Sequence, residues 1–185
     1  MFRIPDIDES RLSPEQRKVY DAIVAGPRGV VRGPLRIWLH SAPLAERAQD
    51  LGAFCRYHSS LPPRLSELAI LTTAAVWKAG YEWTVHAPEA LAAGIDPATI
   101  EAIRQNRRPR FDQPDSAAVY DFTRELLETR QVSEETLSRA RAELGVRGLV
   151  DLVGILGYYG LISMTINAFG VPPDGPDPFA PKVSS

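Results

Sequence analysis

Residues 61–94, "LPPRLSELAILTTAAVWKAGYEWTVHAPEALAAG", decide the fold of this chain. Pro62 and Pro63 favour the start of a helix, and Gly80 favours its end. Between them the sequence is apolar on nearly every side, which is typical of a helix that is buried at the centre of a protein. The stretch therefore predicts a central buried helix, followed by a second helical segment.

The second segment contains a proline that should disturb it. Pro88 lacks the backbone N–H that a helix needs, and its ring crowds the preceding turn. We expect a kink at this point, or a new helix that starts after His86.

The rest of the chain also has a helical period, and no run alternates strictly between polar and apolar residues. Helices are predicted over residues 13–26, 42–60, 96–106, 116–129, 133–144 and 146–169, with a short helix or turn over 32–41. In the segment 42–60 the apolar stripe consists of Leu44, Ala48, Leu51, Phe54 and Cys55. The sequence predicts an all-α fold, with one domain over residues 1–173 and a proline-rich tail, extended over the surface or disordered, over residues 174–185.

Composition excludes several classes of function. The 185 residues are 44% apolar and carry a net charge of only −2, which predicts no nucleic-acid partner and no anionic membrane surface. The single cysteine, Cys55, excludes an intrachain disulfide, and a free thiol suits the cytoplasm. The N-terminus lacks the apolar core of a signal peptide. Residues 146–169 are interrupted by Asp151 and several glycines, so we expect a buried helix rather than a membrane span.

Glu82 and His86 are the first candidates for chemistry. They are four residues apart in a helical segment, so they share one face, and a carboxylate beside an imidazole is suited to moving a proton. Tyr81 and Trp83 flank the pair with large apolar area and indicate a site shielded from water. Glu67 lies on an apolar face of the central helix, where a carboxylate needs a hydrogen-bond partner or a nearby helix N-terminus.

Other chemistries and other interpretations stay open at this stage. Glu82 and His86 are also compatible with a surface ion pair. A metal site would need Glu67 as a third ligand, and since no metal-binding repeat is present, we predict no metal and no cofactor. Arg36 and His40 are candidates for binding an anionic substrate, or for stabilising a helix end.

The segment "RLSELAILTTAAVWKAGYEWTVHAPEALAAGIDPATIEAI" resembles the signature region of the carboxymuconolactone decarboxylase family, which includes the alkylhydroperoxidase D-like proteins. "LHSAPLAERAQDLGAF" and "GYYGLISMTINAFGVP" resemble longer members of that family. The resemblance implies an all-α, alkylhydroperoxidase D-like helical bundle that assembles as a homotrimer or homohexamer. An apolar surplus in the central helix and in residues 146–169 also favours an oligomer.

The resemblance also implies roles for residues. Glu67 and His86 match a glutamate and a histidine that flank a redox-active Cys-x-x-Cys pair in the peroxidase branch. Ala79 and Glu82 occupy the two cysteine positions here, and disulfide exchange requires thiols. The Tyr-Glu-Trp-x-x-His pattern is more similar to the decarboxylase branch. There the resemblance implies catalysis by Glu67, Glu82 and His86. The residues themselves make Tyr81, Trp83, Arg36 and His40 candidates for substrate binding.

Three hypotheses follow for the function. The leading one is a cofactor-free acid–base enzyme that acts on a small carboxylated or lactone-like metabolite, such as a decarboxylase of aromatic catabolism. The second is a peroxide-reducing protein that uses Cys55. The third is a helical oligomer without enzymatic activity, in which Glu67, Glu82 and His86 form a structural network.

Overall fold

The computed structural model describes residues 3–181 of the chain, and this part contains helices and loops without a β-strand. The α-helices are α1 (Pro14–Ala25), α2 (Pro34–Trp38), α3 (Ala42–Ala53), α4 (Pro63–Trp77), α5 (Gly80–Ala92), α6 (Pro97–Arg104), α7 (Pro114–Thr129) and α8 (Glu134–Phe169). A single turn of 3₁₀-helix precedes α1, and a wider π-helical turn, Phe54–His58, continues α3. The predicted all-α fold is confirmed.

Local signals in the sequence begin several of these helices. Ser13 and Gln16 form a reciprocal capping box at the start of α1, which satisfies two backbone N–H groups. Asp96 accepts a hydrogen bond from the N–H of Ala98 at the start of α6, and Ser133 caps α8. These caps fix where the helices begin, independently of how they pack.

Helix α4 is the centre of the molecule, as predicted, and packs against α5, α7 and α8. It ends earlier than expected. Lys78 adopts the left-handed conformation with φ 51° and ψ 41°, and this residue closes the helix. Gly80 does not end α4 but starts α5, so a very short turn reverses the chain between the two helices. This turn brings the faces of α4 and α5 together.

Helix α5 runs through Pro88 without a second helix starting after His86. The expectation of a new helix was therefore wrong. Proline's fixed φ near −65° is compatible with a helix, and its local cost is one lost backbone hydrogen bond together with crowding of the preceding turn. Continuous helix on both sides of His86 keeps that side chain in a fixed position.

The predicted apolar stripe of α3 was partly wrong. Leu44, Leu51 and Phe54 are 44%, 45% and 38% exposed, whereas Ala48 and Cys55 are buried as expected. Alanines and Gly52 face the interior instead. Small side chains on this face let α3 approach its neighbours closely, and the larger apolar side chains are left on the outer face.

Helix α8 is broken inside by Gly145, which has φ 68° and ψ 177°. This break separates the two predicted segments at the expected place. The helix is long and apolar enough to cross a membrane by length and composition, but 67% of its most apolar window is buried inside the protein. That burial agrees with the predicted core helix.

The C-terminal tail lies across the surface of α5 and α6, as far as the structure describes it. The ring of Phe179 packs edge-on against Trp83 at 5.3 Å, and Arg104 donates a hydrogen bond to the carbonyl of Pro178 at 2.8 Å. The tail is thus extended over the surface up to residue 181, and residues 182–185 lie outside the described part.

Gly145 should be required for the break in α8. Its backbone conformation is strained for any residue with a Cβ, so Gly145→Ala should lower the free energy of unfolding by about 1–3 kcal/mol. Gly154→Ala is the matched control, because Gly154 lies in the helical part and a Cβ there meets open space. It should be neutral or stabilising by up to about 1 kcal/mol. Urea unfolding of both variants checks this; equal effects would contradict it.

Candidate active site

The turn between α4 and α5 brings together three side chains that are nineteen or fewer residues apart in sequence. His86 Nδ1 lies 2.7 Å from Glu67 Oε2, across the interface of the two helices. His86 Nε2 lies 2.9 Å from Glu82 Oε1, one helical turn away on the same face of α5. All three side chains are buried, at 10% exposure or less. The surface ion pair considered from the sequence is thereby excluded.

This arrangement constrains where protons lie. A neutral imidazole has one N–H donor and one acceptor, yet both nitrogens of His86 face carboxylate oxygens. Either His86 is an imidazolium between two carboxylates, or one carboxyl group holds the proton and donates it. Burial disfavours the charged ring, but the carboxylates of Glu82 and Glu67 outweigh burial and raise the pKa of His86 to about 9. At neutral pH the trio therefore holds a proton on His86.

The trio faces a cavity of about 470 Å³. Helices α4, α5 and α8 supply its inner wall, and the loop between α1 and α2 supplies part of its rim. Apolar side chains such as Leu35 and Ile162 line it together with polar ones. This volume is within the range of cavities that enclose small organic ligands.

Four tyrosines line the cavity: Tyr57, Tyr81, Tyr158 and Tyr159. The ring of Tyr159 meets the imidazole of His86 edge-on at a centroid distance of 5.2 Å. Burial, reinforced by Glu82, raises the pKa of Tyr159 well above its usual range, and burial raises the pKa of Tyr81 to about 12. Both phenols are therefore neutral hydrogen-bond donors at physiological pH.

Three arginines, Arg28, Arg32 and Arg56, also line the cavity. Arg56 is 19% exposed and has only a distant ion pair, 3.5 Å, with Glu89. Against them stand the carboxylates of Glu67, Glu82 and Glu89. With His86 protonated, the cavity carries four positive and three negative charges, so an anionic ligand is electrostatically acceptable.

The structure brings together four of the seven candidate residues. Glu67, Glu82, His86 and Tyr81 line one cavity, whereas Trp83 is buried against Phe179 beside it.

Arg36 and His40 lie away from this cavity. The Arg36 guanidinium pairs with Asp6 at 2.8 Å and with Glu9 at 2.7 Å, and His40 hydrogen-bonds the carbonyl of Pro5 at 3.0 Å. These contacts attach the N-terminal segment to α2. Their positions do not support the expected contact with a substrate at His86.

Among residues 3–181, no group of three or more His, Cys, Asp or Glu side chains is arranged to hold a metal ion. The geometry of the trio gives the reason. Both nitrogens of His86 are already hydrogen-bonded to carboxylates, so neither is available as a ligand.

Sequence reasoning missed the arginines and the α8 tyrosines of the cavity. Tyr158 and Tyr159 are adjacent in an apolar helix, and two phenols placed there need polar neighbours. That pattern was a usable signal. Arg28 and Arg32 lie in a loop without a recognisable motif, so only the fold reveals that they line the same cavity as His86.

Comparison with known proteins shows which family the central part of the chain is similar to. The sequence profile described as "Carboxymuconolactone decarboxylase family" matches residues 42–125, which span α3 to α7 and include Glu67, Glu82 and His86. This match covers less than half of the chain, and it makes residues 42–125 similar to that family. No curated protein matches the chain significantly.

Solved structures share the fold of this chain. An uncharacterized peroxidase-related protein from Silicibacter sp. TM1040 matches with a TM-score of 0.73 and 15% identity, covering 93% of this chain and 90% of that one. An uncharacterized peroxidase-related protein from Ralstonia eutropha JMP134, described as an alkylhydroperoxidase AhpD core, matches with a TM-score of 0.77 and 16% identity, covering 96% and 94%. The alkylhydroperoxidase D-like fold is thus confirmed.

The raised pKa of His86 predicts a pH-dependent stability. The folded-state pKa of about 9 lies above the ordinary value of 6.5, so protonated His86 stabilises the fold. This contribution is complete below pH 6.5 and is lost as the pH rises towards 9, by up to about 3 kcal/mol. Denaturant unfolding from pH 6 to 9.5 should show this decline in the parent and a weaker one in His86→Gln. Parallel curves would contradict the prediction.

Proposed function

We propose that this protein is a cofactor-free acid–base enzyme that acts on a small carboxylated or lactone-like metabolite, in the manner of a decarboxylase. One observation carries the proposal. A buried imidazole is held between two carboxylates, and the trio faces a cavity of about 470 Å³. Groups with strongly shifted pKa values in a cavity are typical of catalytic sites.

The proposed step is the loss of CO₂ from a carboxylated lactone. The bond between the carboxyl carbon and the ring breaks, CO₂ leaves, and the electron pair stays on the ring as a dienolate. His86 supplies the proton as the general acid, and the proton reaches carbon through the Glu82 carboxyl group, because both ring nitrogens are hydrogen-bonded to carboxylates. Glu67 holds the imidazole in position and helps to keep it charged beforehand. Solvent then returns a proton to His86. No external oxidant, reductant or metal is needed for this balance.

The surroundings of His86 support this chemistry. Tyr81 and Tyr159 are neutral donors that line the cavity and can hydrogen-bond a developing enolate oxygen. The arginines of the cavity offer a positive field for the substrate carboxylate. The inner wall is buried, so few waters compete for the proton.

The peroxidase alternative receives little support from the geometry. Burial, together with Asp151, raises the pKa of the Cys55 thiol to about 11, whereas a reactive thiol needs a lowered pKa. Cys55 is fully buried and is not among the residues that line the cavity. Ala79 and Glu82, in the positions of the family's redox cysteines, carry no sulfur.

The non-enzymatic alternative is a purely structural trio. A structural network would be expected inside a filled core, whereas His86 borders open volume. Buried ion pairs also rarely stabilise a protein more than apolar packing would. Both points favour a substrate site.

We further propose that the chain forms a homo-oligomer in the cytoplasm. Val146, Val150 and Val153 lie on the outer face of α8 and are 69%, 66% and 47% exposed. An apolar face of this kind suits an interface with a second copy. A homotrimer or homohexamer is the expectation from the family resemblance.

Replacing His86 tests the enzymatic proposal. His86→Gln removes the titratable group but keeps a hydrogen-bonding side chain, so it should lower turnover by roughly two to four orders of magnitude. The measurement is CO₂ release, or solvent deuterium incorporation by NMR, over a panel of small lactones and carboxylic acids. A variant that turns over a confirmed substrate as fast as the parent would refute the catalytic assignment.

His58→Gln is the matched control. His58 is exposed, does not line the cavity and lies at the end of the π-helical turn. It should retain parental turnover. Turnover distinguishes the alternatives. A loss of stability of about 1–3 kcal/mol in His86→Gln is expected for a catalytic and for a structural trio alike, whereas only a catalytic trio has a turnover to lose.

The protein should show no efficient thiol-dependent consumption of hydroperoxides. A buried thiol with a pKa of about 11 holds almost no thiolate at neutral pH. Cys55→Ser should therefore leave the slow background rate unchanged in a coupled peroxide assay. Rapid consumption that disappears in Cys55→Ser would favour the peroxidase alternative instead.

A further inference from the structure

Arg28 differs from three other half-buried arginines of this protein, Arg36, Arg64 and Arg104. Arg36, Arg64 and Arg104 each pair with a carboxylate at 2.8 Å or less. For Arg28, the described residues provide only a neutral partner, the Tyr158 hydroxyl, at 3.1 Å from Nη2. Its Nε is buried and has no hydrogen-bond partner. An arginine held in this state lacks the anion that its planar fork is suited to bind.

The fold makes specific room for this guanidinium. Gly52 of α3 lies beneath it, and a Cβ at that position would come within 2.4 Å of Arg28 Nη2 and 2.1 Å of the Tyr158 hydroxyl. Only glycine therefore permits Arg28 and Tyr158 to meet there. The ring of Trp38 packs edge-on against the ring of Tyr158, with 6.0 Å between the ring centroids. Arg28 is held in place at the cavity wall by neighbours that neutralise none of its charge.

We propose that the Arg28–Tyr158 corner of the cavity is a carboxylate subsite of the substrate, separate from the acid–base trio. The guanidinium supplies the charge, and its buried Nε–H is a donor that no described residue satisfies. Tyr158 orients the guanidinium. The inference rests on the proposed function, because it treats the cavity as the substrate site.

The side chains that line the cavity indicate the chemistry of the ligand apart from its carboxylate. Pro27, Leu35, Ile162 and the ring of Tyr158 line the same cavity and offer apolar or aromatic surface. A flat, unsaturated or cyclic carboxylic acid fits this combination better than a small hydrophilic anion. The subsite would fix the substrate by its carboxylate at the corner while another part of the molecule reaches His86.

Binding of benzoate measured by calorimetry tests the subsite without requiring turnover. Benzoate should bind the parent, and Arg28→Gln should weaken it about tenfold or more, because a charge-assisted hydrogen bond is lost. Arg28→Lys keeps the charge and should retain part of the affinity.

Gly52→Ala should lower the affinity for benzoate as well, since it displaces both Arg28 and Tyr158. Benzamide, the neutral isostere, should bind weakly and be insensitive to Arg28→Gln.

The controls separate this inference from the proposed function. Arg47→Gln, at an exposed arginine outside the cavity whose guanidinium contacts the carbonyl of Pro43, should leave benzoate binding unchanged. His86→Gln should still bind benzoate through the corner even where turnover is lost. If His86→Gln keeps full turnover while Arg28→Gln loses benzoate, the subsite stands and the catalytic proposal fails.

Four results would overturn the subsite. The first is that the parent does not bind benzoate detectably, and the second is that folded Arg28→Gln binds benzoate as tightly as the parent. The third is that the parent binds benzamide as tightly as benzoate. The fourth is that inorganic phosphate binds more tightly than benzoate and depends on Arg28 in the same way. The last result would assign the corner to a phosphate group instead. Circular dichroism of each variant establishes that it is folded before binding is compared.

Discussion

The hydrogen-bonded trio of Glu67, His86 and Glu82 is the constraint on which the rest of the structure depends. Two carboxylates and an imidazole are buried, and each carboxylate lies within hydrogen-bonding distance of the imidazole. Burying such charges is unfavourable unless each finds a partner, and apolar side chains would pack the same space with less penalty. The fold therefore maintains an arrangement that stability alone does not favour. A chemical task is the simplest reason to keep it.

The backbone around the trio is arranged so that these partners meet. Lys78 in the left-handed conformation ends α4 and lets α5 begin two residues later, which aligns Glu67 with His86. The continuous helix through Pro88 holds His86 rigidly, and α8 places Tyr159 against its ring. A loop or a kink at any of these places would let the imidazole move by an ångström or more. Proton transfer is sensitive to errors of that size.

The sequence predicts the parts of this arrangement that depend on local rules. Helical period, caps, the spacing of Glu82 and His86, and the position of Glu67 on an apolar helix face are local signals, and the family resemblance added that these three residues act together. Tertiary effects account for what was wrong or missed. The exposure of Leu44 and Leu51 depends on which face of α3 can approach α8 closely. The capture of Arg36 by Asp6 and Glu9, and the approach of Arg28 to the cavity, depend on loops whose paths no local signal fixes.

Glu82 determines the protonation state of His86. In the thiol-containing branch that the sequence resembles, a cysteine occupies this position, and a neutral histidine beside it can take the thiol proton. Here a carboxylate oxygen lies 2.9 Å from the same nitrogen and keeps the imidazole charged. In the proposed function, the Glu67–His86 pair acts as an acid that supplies a proton rather than as a base that removes one. A charged imidazole can protonate a carbanion but cannot take the proton of a thiol, and this is the chemical argument by which Glu82 supports the proposed proton transfer to carbon over peroxide reduction.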